Sequence, residues 1–83
     1  MPDSSDEYVR LLHQRIGEEV RARRVALGLS AYTLAKAAGV TDQTILNLEQ
    51  GLCANGCWTG TLARIAWRFE TSLTELVTAA ERR

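Results

Sequence analysis

The sequence predicts an all-α fold, and three observations lead to this prediction. Apolar residues recur every third or fourth residue along most of the chain, which is the spacing of one helix face. No segment alternates apolar and polar residues with the two-residue period of a strand. Ser or Thr precedes several apolar segments and Gly follows them, as at the two ends of helices. The 83 residues are enough for one helical bundle that needs no disulfide or metal.

The first predicted helix begins at Ser4 or Ser5 and ends before Gly28. Ser4 with Glu7 three residues later fits a capping box. Gly17 costs about 1 kcal/mol relative to alanine inside a helix, which indicates either close packing or a boundary at this point. We place residues 1–15 in an N-terminal extension of the first helix and residues 16–80 in the domain proper. The apolar stripe of this helix comprises Tyr8, Leu12, Ile16 and Val20, widened by Leu11 and Leu27.

Four shorter helices follow. The second spans Ala31 to Ala38, with Ser30 as its N-cap and Gly39 as its end. The third runs from Asp42 to about Gln50 after the N-cap Thr41, and Gly51 ends it. The fourth runs from about Trp58 or Thr59 to Glu70, and the fifth begins at Thr71 or Ser72 and turns Leu73, Leu76 and Val77 inward.

The second and third helices together predict a helix-turn-helix unit over residues 31–50, with residues 42–50 as its recognition helix. Ala35 is the fifth residue of this unit, where the two helices cross closely and a larger side chain would separate them. Gly39 is the ninth, where the turn needs a positive φ that glycine adopts without strain. The predicted seam between the helices consists of Leu34, Ala38, Val40, Ile45 and Leu48. Such a unit lays its second helix in the DNA major groove.

The sequence from Ile16 to Val77 resembles the Cro/C1-type helix-turn-helix domains (the XRE family) of lambdoid phage repressors and many bacterial regulators. The matching residues are Arg24, Gly28-Leu29-Ser30, Leu34-Ala35, Gly39-Val40, Leu48-Glu49-Gln50-Gly51, Leu62-Ala63-Arg64-Ile65-Ala66 and Ser72-Leu73-Thr74-Glu75-Leu76. The resemblance implies an all-α, five-helix lambda-repressor-like domain, here with an extended first helix. It implies a sequence-specific transcriptional regulator, in the simplest case a small repressor that binds a palindromic operator in double-stranded DNA as a homodimer. It also implies a partly buried ion pair between Arg24 and Glu49.

Several polar residues are the predicted DNA contacts. Gln43 and Asn47 can each pair bidentately with adenine, and Thr44 can touch a thymine methyl group or a phosphate. Asp42 can accept a hydrogen bond from cytosine N4, although phosphates repel its carboxylate. The full predicted set is Tyr32, Lys36, Thr41, Asp42, Gln43, Thr44, Asn47 and Asn55, to which Arg23 and the backbone N–H groups at helix starts add phosphate contacts.

The charge of the chain leaves a second function open. Ten basic and ten acidic residues give a net charge of zero, whereas DNA-binding domains usually carry a basic surplus. Asp42 begins the recognition helix, and Ala31 stands where the family often has glutamine. The alternative is therefore a protein-interaction module on the same fold, such as an antitoxin that masks a toxin.

The remaining residues predict little chemistry. His13, Cys53 and Cys57 are too few for a zinc site in one chain, so the cysteines are expected to pack the loop, with a reversible disulfide as the alternative. No Ser/His/Asp set or phosphate loop is present, so we expect no enzyme activity, no cofactor and no small-molecule substrate. Trp58 or its loop is expected either in a dimer contact or in intramolecular packing. Without a signal peptide or membrane span, the expected compartment is the cytoplasm.

Overall fold

A computed structural model describes residues 4–52 and 59–83, which form five helices and no strand. The helices are α1 (Ser4–Ala26), α2 (Ala31–Ala38), α3 (Asp42–Glu49), α4 (Thr59–Arg68) and α5 (Leu73–Glu81). The long α1 packs on α3 and α5, while α2 packs on α3 and α4, and α4 on α5. The predicted all-α, five-helix fold is confirmed.

The longest helix, α1, is continuous over 23 residues. Ile16 and Val20 are buried in its middle, but Tyr8 and Leu27 are 54% and 53% exposed, so the predicted apolar stripe is wrong at both ends. In the N-terminal part of α1, Leu12 is the residue of the predicted stripe that packs against the core. At the other end the helix stops at Ala26, which leaves Leu27 in the turn before Gly28. The predicted boundary between residues 15 and 16 lies within this helix and stays a prediction.

Gly17 lies where α1 crosses the C-terminal end of α3. A Cβ atom on Gly17 would stand 2.8 Å from the carbonyl oxygen of Glu49, and closer still to the carbonyl oxygen of Leu48. Real Cβ atoms essentially never come that close to a backbone atom. The glycine therefore permits close packing, which is one of the two interpretations that the sequence left open.

The core is one cluster of buried side chains to which all five helices contribute. Its largest fully buried side chains are Val20, Leu34, Ile45, Ile65 and Leu76. Four alanines, Ala35, Ala38, Ala66 and Ala80, are buried in the same cluster. The predicted seam is buried at Leu34, Ala38, Ile45 and Leu48, and Val40 packs partly buried against it.

The end of α4 differs from the prediction. This helix stops at Arg68, whereas the sequence predicts that it reaches Glu70. Glu70 instead adopts a left-handed conformation with φ of 59°. Backbone hydrogen bonds from Glu70 N to the Trp67 carbonyl and from Thr71 N to the Ala66 carbonyl, both 3.0 Å, close the helix. Ser72 then caps α5, because its hydroxyl accepts a hydrogen bond from the Glu75 N–H at 3.0 Å.

Polar contacts attach α5 to α1. Tyr8 donates a hydrogen bond to the Glu81 carboxylate at 2.9 Å, which raises the pKa of the Tyr8 phenol. Glu19 accepts from Nε of Arg23 at 2.6 Å and from Nε of Arg83 at 2.8 Å. Desolvation raises the pKa of Glu19, but the hydrogen bonds from both arginines outweigh it, so the pKa is lowered. In the described ranges, no helix is long and apolar enough to cross a bilayer.

Candidate nucleic-acid interface

The helix-turn-helix unit is formed by α2, the turn at Gly39 and α3. Ser30 caps α2 by accepting a hydrogen bond from the Thr33 N–H at 3.1 Å. Gly39 has φ of 71°, in the left-handed region, and the N–H of Val40 closes the turn on the Ala35 carbonyl at 3.0 Å. Ala35 is buried, and the side chain of α2 at this position, next to α3, is a single methyl group. These contacts fix the angle at which α3 leaves the turn.

The ion pair between Arg24 and Glu49 attaches α3 to α1. Nε of Arg24 lies 2.6 Å from Oε2 of Glu49, and Nη2 lies 3.0 Å from Oε1, so the pair is bidentate. The third nitrogen, Nη1, donates to the Leu29 carbonyl at 2.9 Å. The Glu49 side chain is only 4% exposed, and its carboxylate raises the pKa of the Arg24 guanidinium. This pair holds the C-terminal end of α3 against the scaffold.

The outward face of α3 presents the polar residues that the sequence predicts as base contacts. The recognition helix ends at Glu49, with Gln50 as its C-cap, one residue earlier than predicted. Thr41 caps the helix by accepting from the Thr44 N–H at 3.2 Å, and the two hydroxyls are 2.9 Å apart. The Asp42 carboxylate accepts from the Gln43 N–H at 2.9 Å. It therefore lies at the helix start, where the helix dipole favours a negative charge.

Gln43 and Asn47 are joined side chain to side chain. Nε2 of Gln43 donates to Oδ1 of Asn47 at 2.9 Å. Gln43 keeps its own carbonyl oxygen and one N–H for another partner, which is the donor–acceptor pair that adenine requires. Asn47 keeps its two N–H donors. The contact orients the two amides relative to each other.

On α2, Tyr32 and Lys36 lie one turn apart and contact each other. The ammonium of Lys36 stands 5.2 Å from the centroid of the Tyr32 ring, within the range of a cation–π interaction. Tyr32 is 60% exposed, so its hydroxyl and the lysine are both available at the surface. Four residues between α3 and α4, Cys53, Asn55, Cys57 and Trp58, lie outside the described residues. The predictions made for them therefore stay predictions.

The exposed charge of the unit is close to balanced. Lys36 and Asp42 are exposed, whereas Glu49 is buried and paired with Arg24. Arg23, an expected phosphate contact, has its Nε hydrogen-bonded to Glu19. Among the described residues, no group of three His, Cys, Asp or Glu is placed to hold a metal ion.

Two arginines near the unit were not predicted as part of the site. Arg21 lines a groove of about 260 Å³ between α1 and α3, together with Arg24, Leu46, Glu49 and Gln50. Arg21 lies three residues before Arg24, so helical spacing alone could have predicted that both arginines lie on the same face of α1. Arg64 of α4 lies against the turn, because a Cβ atom at Gly39 would stand 3.2 Å from its Nη1. No local pattern signals that contact, since 25 residues separate the two positions.

Known proteins share this unit and this fold. Residues 20–52 match the family model described as "Helix-turn-helix". The chain is 39% identical over 51 residues to an "Uncharacterized transcriptional regulator in ATPase CF(0) region" of Rhodospirillum rubrum. That alignment covers 61% of this chain and 47% of the relative, so the chain spans about half the relative's length.

Two crystal structures of the clp gene regulator ClgR from Corynebacterium glutamicum have a similar fold. Their TM-scores are 0.79 and 0.77, each at 22% sequence identity over 86% of this chain. The matches cover 73% and 88% of the ClgR chains. At 22% sequence identity, this structural similarity shows that the folds are alike and nothing about function. Together, the family match over residues 20–52 and the geometry of α2, Gly39 and α3 identify these two helices and their turn as a helix-turn-helix unit.

Proposed function

We propose that this chain is a DNA-binding transcriptional regulator, a small repressor that binds a palindromic operator as a homodimer. The observation that carries the proposal is the outward face of α3, where Gln43 and Asn47 are held together by a hydrogen bond of 2.9 Å. Beside them lie the exposed Thr41 and Asp42 at the N-terminus of the helix. This arrangement suits the edges of bases in a major groove, where the remaining donor and acceptor of Gln43 match adenine and the N–H donors of Asn47 match an acceptor on guanine or thymine.

Under this proposal, different parts of the chain contact the bases and the phosphates of the DNA. Residues 16–80 form the DNA-binding domain and residues 1–15 extend its first helix. Bases are read by Gln43, Thr44 and Asn47. Phosphates are contacted by Tyr32, Lys36, Asn55 and the N–H groups at the start of α3. The Arg24–Glu49 pair positions α3 without touching DNA bases. Because the proposed task is binding, the chain has no catalytic role, and its compartment is the one that holds the DNA, the cytoplasm.

The test is an electrophoretic mobility shift with the DNA upstream of the protein's own gene, at low and moderate salt. The double variant Gln43→Ala/Asn47→Ala should lose the specific shift, since both base-reading amides are gone. Thr74→Ala is the matched control, because Thr74 is exposed on α5, which packs on α1 and α4. A specific shift that survives in the double variant would overturn the assignment of the reading face.

The near-zero exposed charge of the unit supports a second candidate, a protein-interaction module such as an antitoxin. The exposed charges of Lys36 and Asp42 cancel, so electrostatic attraction to phosphates is weak. Under this alternative, the wild type gives no shift at any salt concentration and instead co-purifies with the product of a neighbouring gene.

A further inference from the structure

The groove between α1 and α3 lies beside the outward face of the recognition helix. It has a volume of about 260 Å³. Three charged and two uncharged residues line it: Arg21, Arg24, Glu49, Leu46 and Gln50. Leu46 lies three residues after Gln43, which places the two side chains side by side on the surface of α3. The groove therefore continues the surface that is proposed to read bases.

This groove carries one unpaired positive charge. Arg24 and Glu49 neutralise each other through their bidentate contact of 2.6 and 3.0 Å. Arg21 is exposed, and within the described part of the chain its side chain takes part in no ion pair and no hydrogen bond. The Gln50 side chain is also exposed, so its amide can donate to the same partner as Arg21. Because a guanidinium and an amide both offer N–H donors, this side of the groove suits an anion.

Leu46 forms an apolar wall of the groove. It is 37% exposed, whereas Ile45 and Leu48 of the same helix are buried in the core. A leucine side chain has no group that can hydrogen-bond a base. The apolar group that a base projects into the major groove is the C5 methyl of thymine. Any other base edge would lose water against Leu46 without gaining a partner, so Leu46 favours thymine.

We infer that the α1–α3 groove, defined by Arg21, Leu46 and Gln50, binds one thymidine nucleotide of the operator. The C5 methyl of the thymine packs against Leu46, while Arg21 and Gln50 donate hydrogen bonds to the phosphate on the 5′ side of the same nucleotide. This methyl group lies on the side of the base that faces its own backbone, so one nucleotide presents both groups to one groove. The inference rests on the proposed function and adds to it a residue that selects thymine.

The position of the groove favours a nucleotide over an acidic protein segment. A carboxylate would also pair with Arg21, but the groove opens beside Gln43 and Leu46 on the face of α3 that is proposed to enter the major groove. The added cation also agrees with weak electrostatic attraction to DNA. Arg21 and Lys36 together give four cation–phosphate contacts in a bound dimer, which corresponds to about 3.6 released ions.

The first test replaces thymine by uracil, which removes only the methyl group. The probe is the duplex that the wild type protects in the DNA upstream of its own gene, made with deoxyuridine in place of each thymidine in turn. At one thymidine per bound subunit, the wild type should bind about fourfold more weakly, as for one apolar group of methylene size. Leu46→Ala should lose a similar factor on the thymine duplex and should not distinguish uracil from thymine at that position.

Leu52→Ala is the matched control for the first test. Leu52 is an exposed leucine that does not line the groove, so this variant should keep the full difference between thymine and uracil. Circular dichroism verifies that each variant is folded. The inference is overturned if uracil is tolerated at every thymidine, or if Leu46→Ala stays as sensitive to uracil as the wild type.

The second test neutralises single phosphates. A methylphosphonate linkage on the 5′ side of the same thymidine should weaken binding by the wild type roughly tenfold, as for a hydrogen bond to a charged group. Arg21→Ala should lose a similar factor on the unmodified duplex and should be insensitive to the neutral linkage. Arg10→Ala is the matched control, because Arg10 is also exposed on α1 but does not line the groove, and it should stay sensitive. Equal sensitivity of Arg21→Ala and the wild type overturns the phosphate contact.

The outcomes separate this site from the function on which it rests. A wild type that protects no DNA overturns the regulator function, and the nucleotide site with it. Specific binding that responds neither to uracil nor to neutral linkages through Leu46 and Arg21 overturns the site alone. If Arg21→Ala and Leu46→Ala leave the DNA affinity unchanged and instead release a co-purified protein, the groove binds that protein and the nucleotide site is overturned.

Discussion

At the scale of single residues, the Arg24–Glu49 pair is the contact whose loss should cost most. Arg24→Ala leaves the Glu49 carboxylate, 4% exposed, without its bidentate partner. An uncompensated buried charge of this kind costs about 3–5 kcal/mol, a large share of the stability of a small domain. The free energy of unfolding, measured by urea denaturation, should therefore fall by that amount.

The control for this prediction removes both charges together. Arg24→Met/Glu49→Leu leaves no unpaired charge and keeps most of the side-chain volume, so it should cost much less than Arg24→Ala. If the single variant lies within about 1 kcal/mol of the wild type, the contact is no more than an ordinary surface ion pair.

The amide pair on α3 predicts a base preference. Gln43 keeps a donor and an acceptor after its hydrogen bond to Asn47, so it should select adenine. Asn47, whose Oδ1 already accepts that bond, should donate to guanine or to thymine O4. Selection from a random DNA library should show both preferences. Asn47→Asp, which offers acceptors only, should shift the second preference to cytosine, and an unchanged motif would show that Asn47 does not read bases.

Among single residues, chain neighbours were predictable and distant contacts were not. The residue types of Ser30, Gly39 and Thr41 predict two helix caps and a turn, because capping involves residues two or three apart. The contact of Arg64 with the Gly39 turn depends on tertiary packing, so no spacing signals it. The Arg24–Glu49 pair also spans 25 residues, and only the family resemblance pointed to it.

At the scale of elements, the crossing of α1 over α3 determines where the recognition helix lies. Gly17→Ala would place a methyl group against the backbone carbonyls of Leu48 and Glu49. Neither carbonyl can move without shifting α3, so the substitution should destabilise the fold by about 1–3 kcal/mol. The thermal midpoint by circular dichroism measures this loss.

Gly60→Ala is the matched control for that substitution. Gly60 is also helical, in the first turn of α4, and its Cβ atom would meet nothing within 4 Å. It should be neutral or stabilise the fold by up to about 1 kcal/mol, because alanine favours helix more than glycine does. Equal effects at both positions would mean that helix propensity, and not the crossing, governs Gly17.

Elements were predictable to within a few residues, and the errors have physical causes. The predicted end of α4 was wrong by two residues. Glutamate rarely adopts a left-handed conformation, so the residue type at position 70 does not predict that the chain turns there. The spacing of Leu27 fits the apolar stripe of a longer helix, whereas the turn before Gly28 leaves Leu27 exposed.

At the scale of the whole molecule, Glu19 joins α1 to Arg83, which lies two residues after the end of α5. Its folded-state pKa is lowered from 4.5 by the two arginines. A lowered pKa stabilises the fold above the unfolded value, and this stabilisation is lost as the pH falls through the folded value. Glu19→Gln should therefore be less stable than the wild type at neutral pH, by at most about 1 kcal/mol, because both arginine partners are partly exposed to solvent.

The measurement is the difference in thermal midpoint between Glu19→Gln and the wild type, from neutral pH down through 4.5. The difference should shrink toward zero on the acid side, because the protonated glutamate then resembles glutamine. A difference that stays constant across this range would mean that the two arginines do not stabilise the ionised form of Glu19.

The charge of the whole molecule predicts how salt affects operator binding. Net charge is zero, and Lys36 is the exposed cation on the helix-turn-helix unit within the described residues. Each phosphate neutralised by a cation contributes about 0.9 to the slope of log affinity against log salt. We therefore expect a shallow slope, which corresponds to fewer than about six released ions. The affinity should arise mainly from base contacts and from the N–H groups at helix starts.

Two substitutions test this expectation. Lys36→Ala should reduce the slope by about one per subunit. Asp42→Asn should strengthen binding, because it removes a carboxylate that phosphates repel. A slope of about six or more would mean that cations outside this unit, such as Arg21 and Arg64, supply the phosphate contacts, and Lys36→Ala would then leave the slope nearly unchanged.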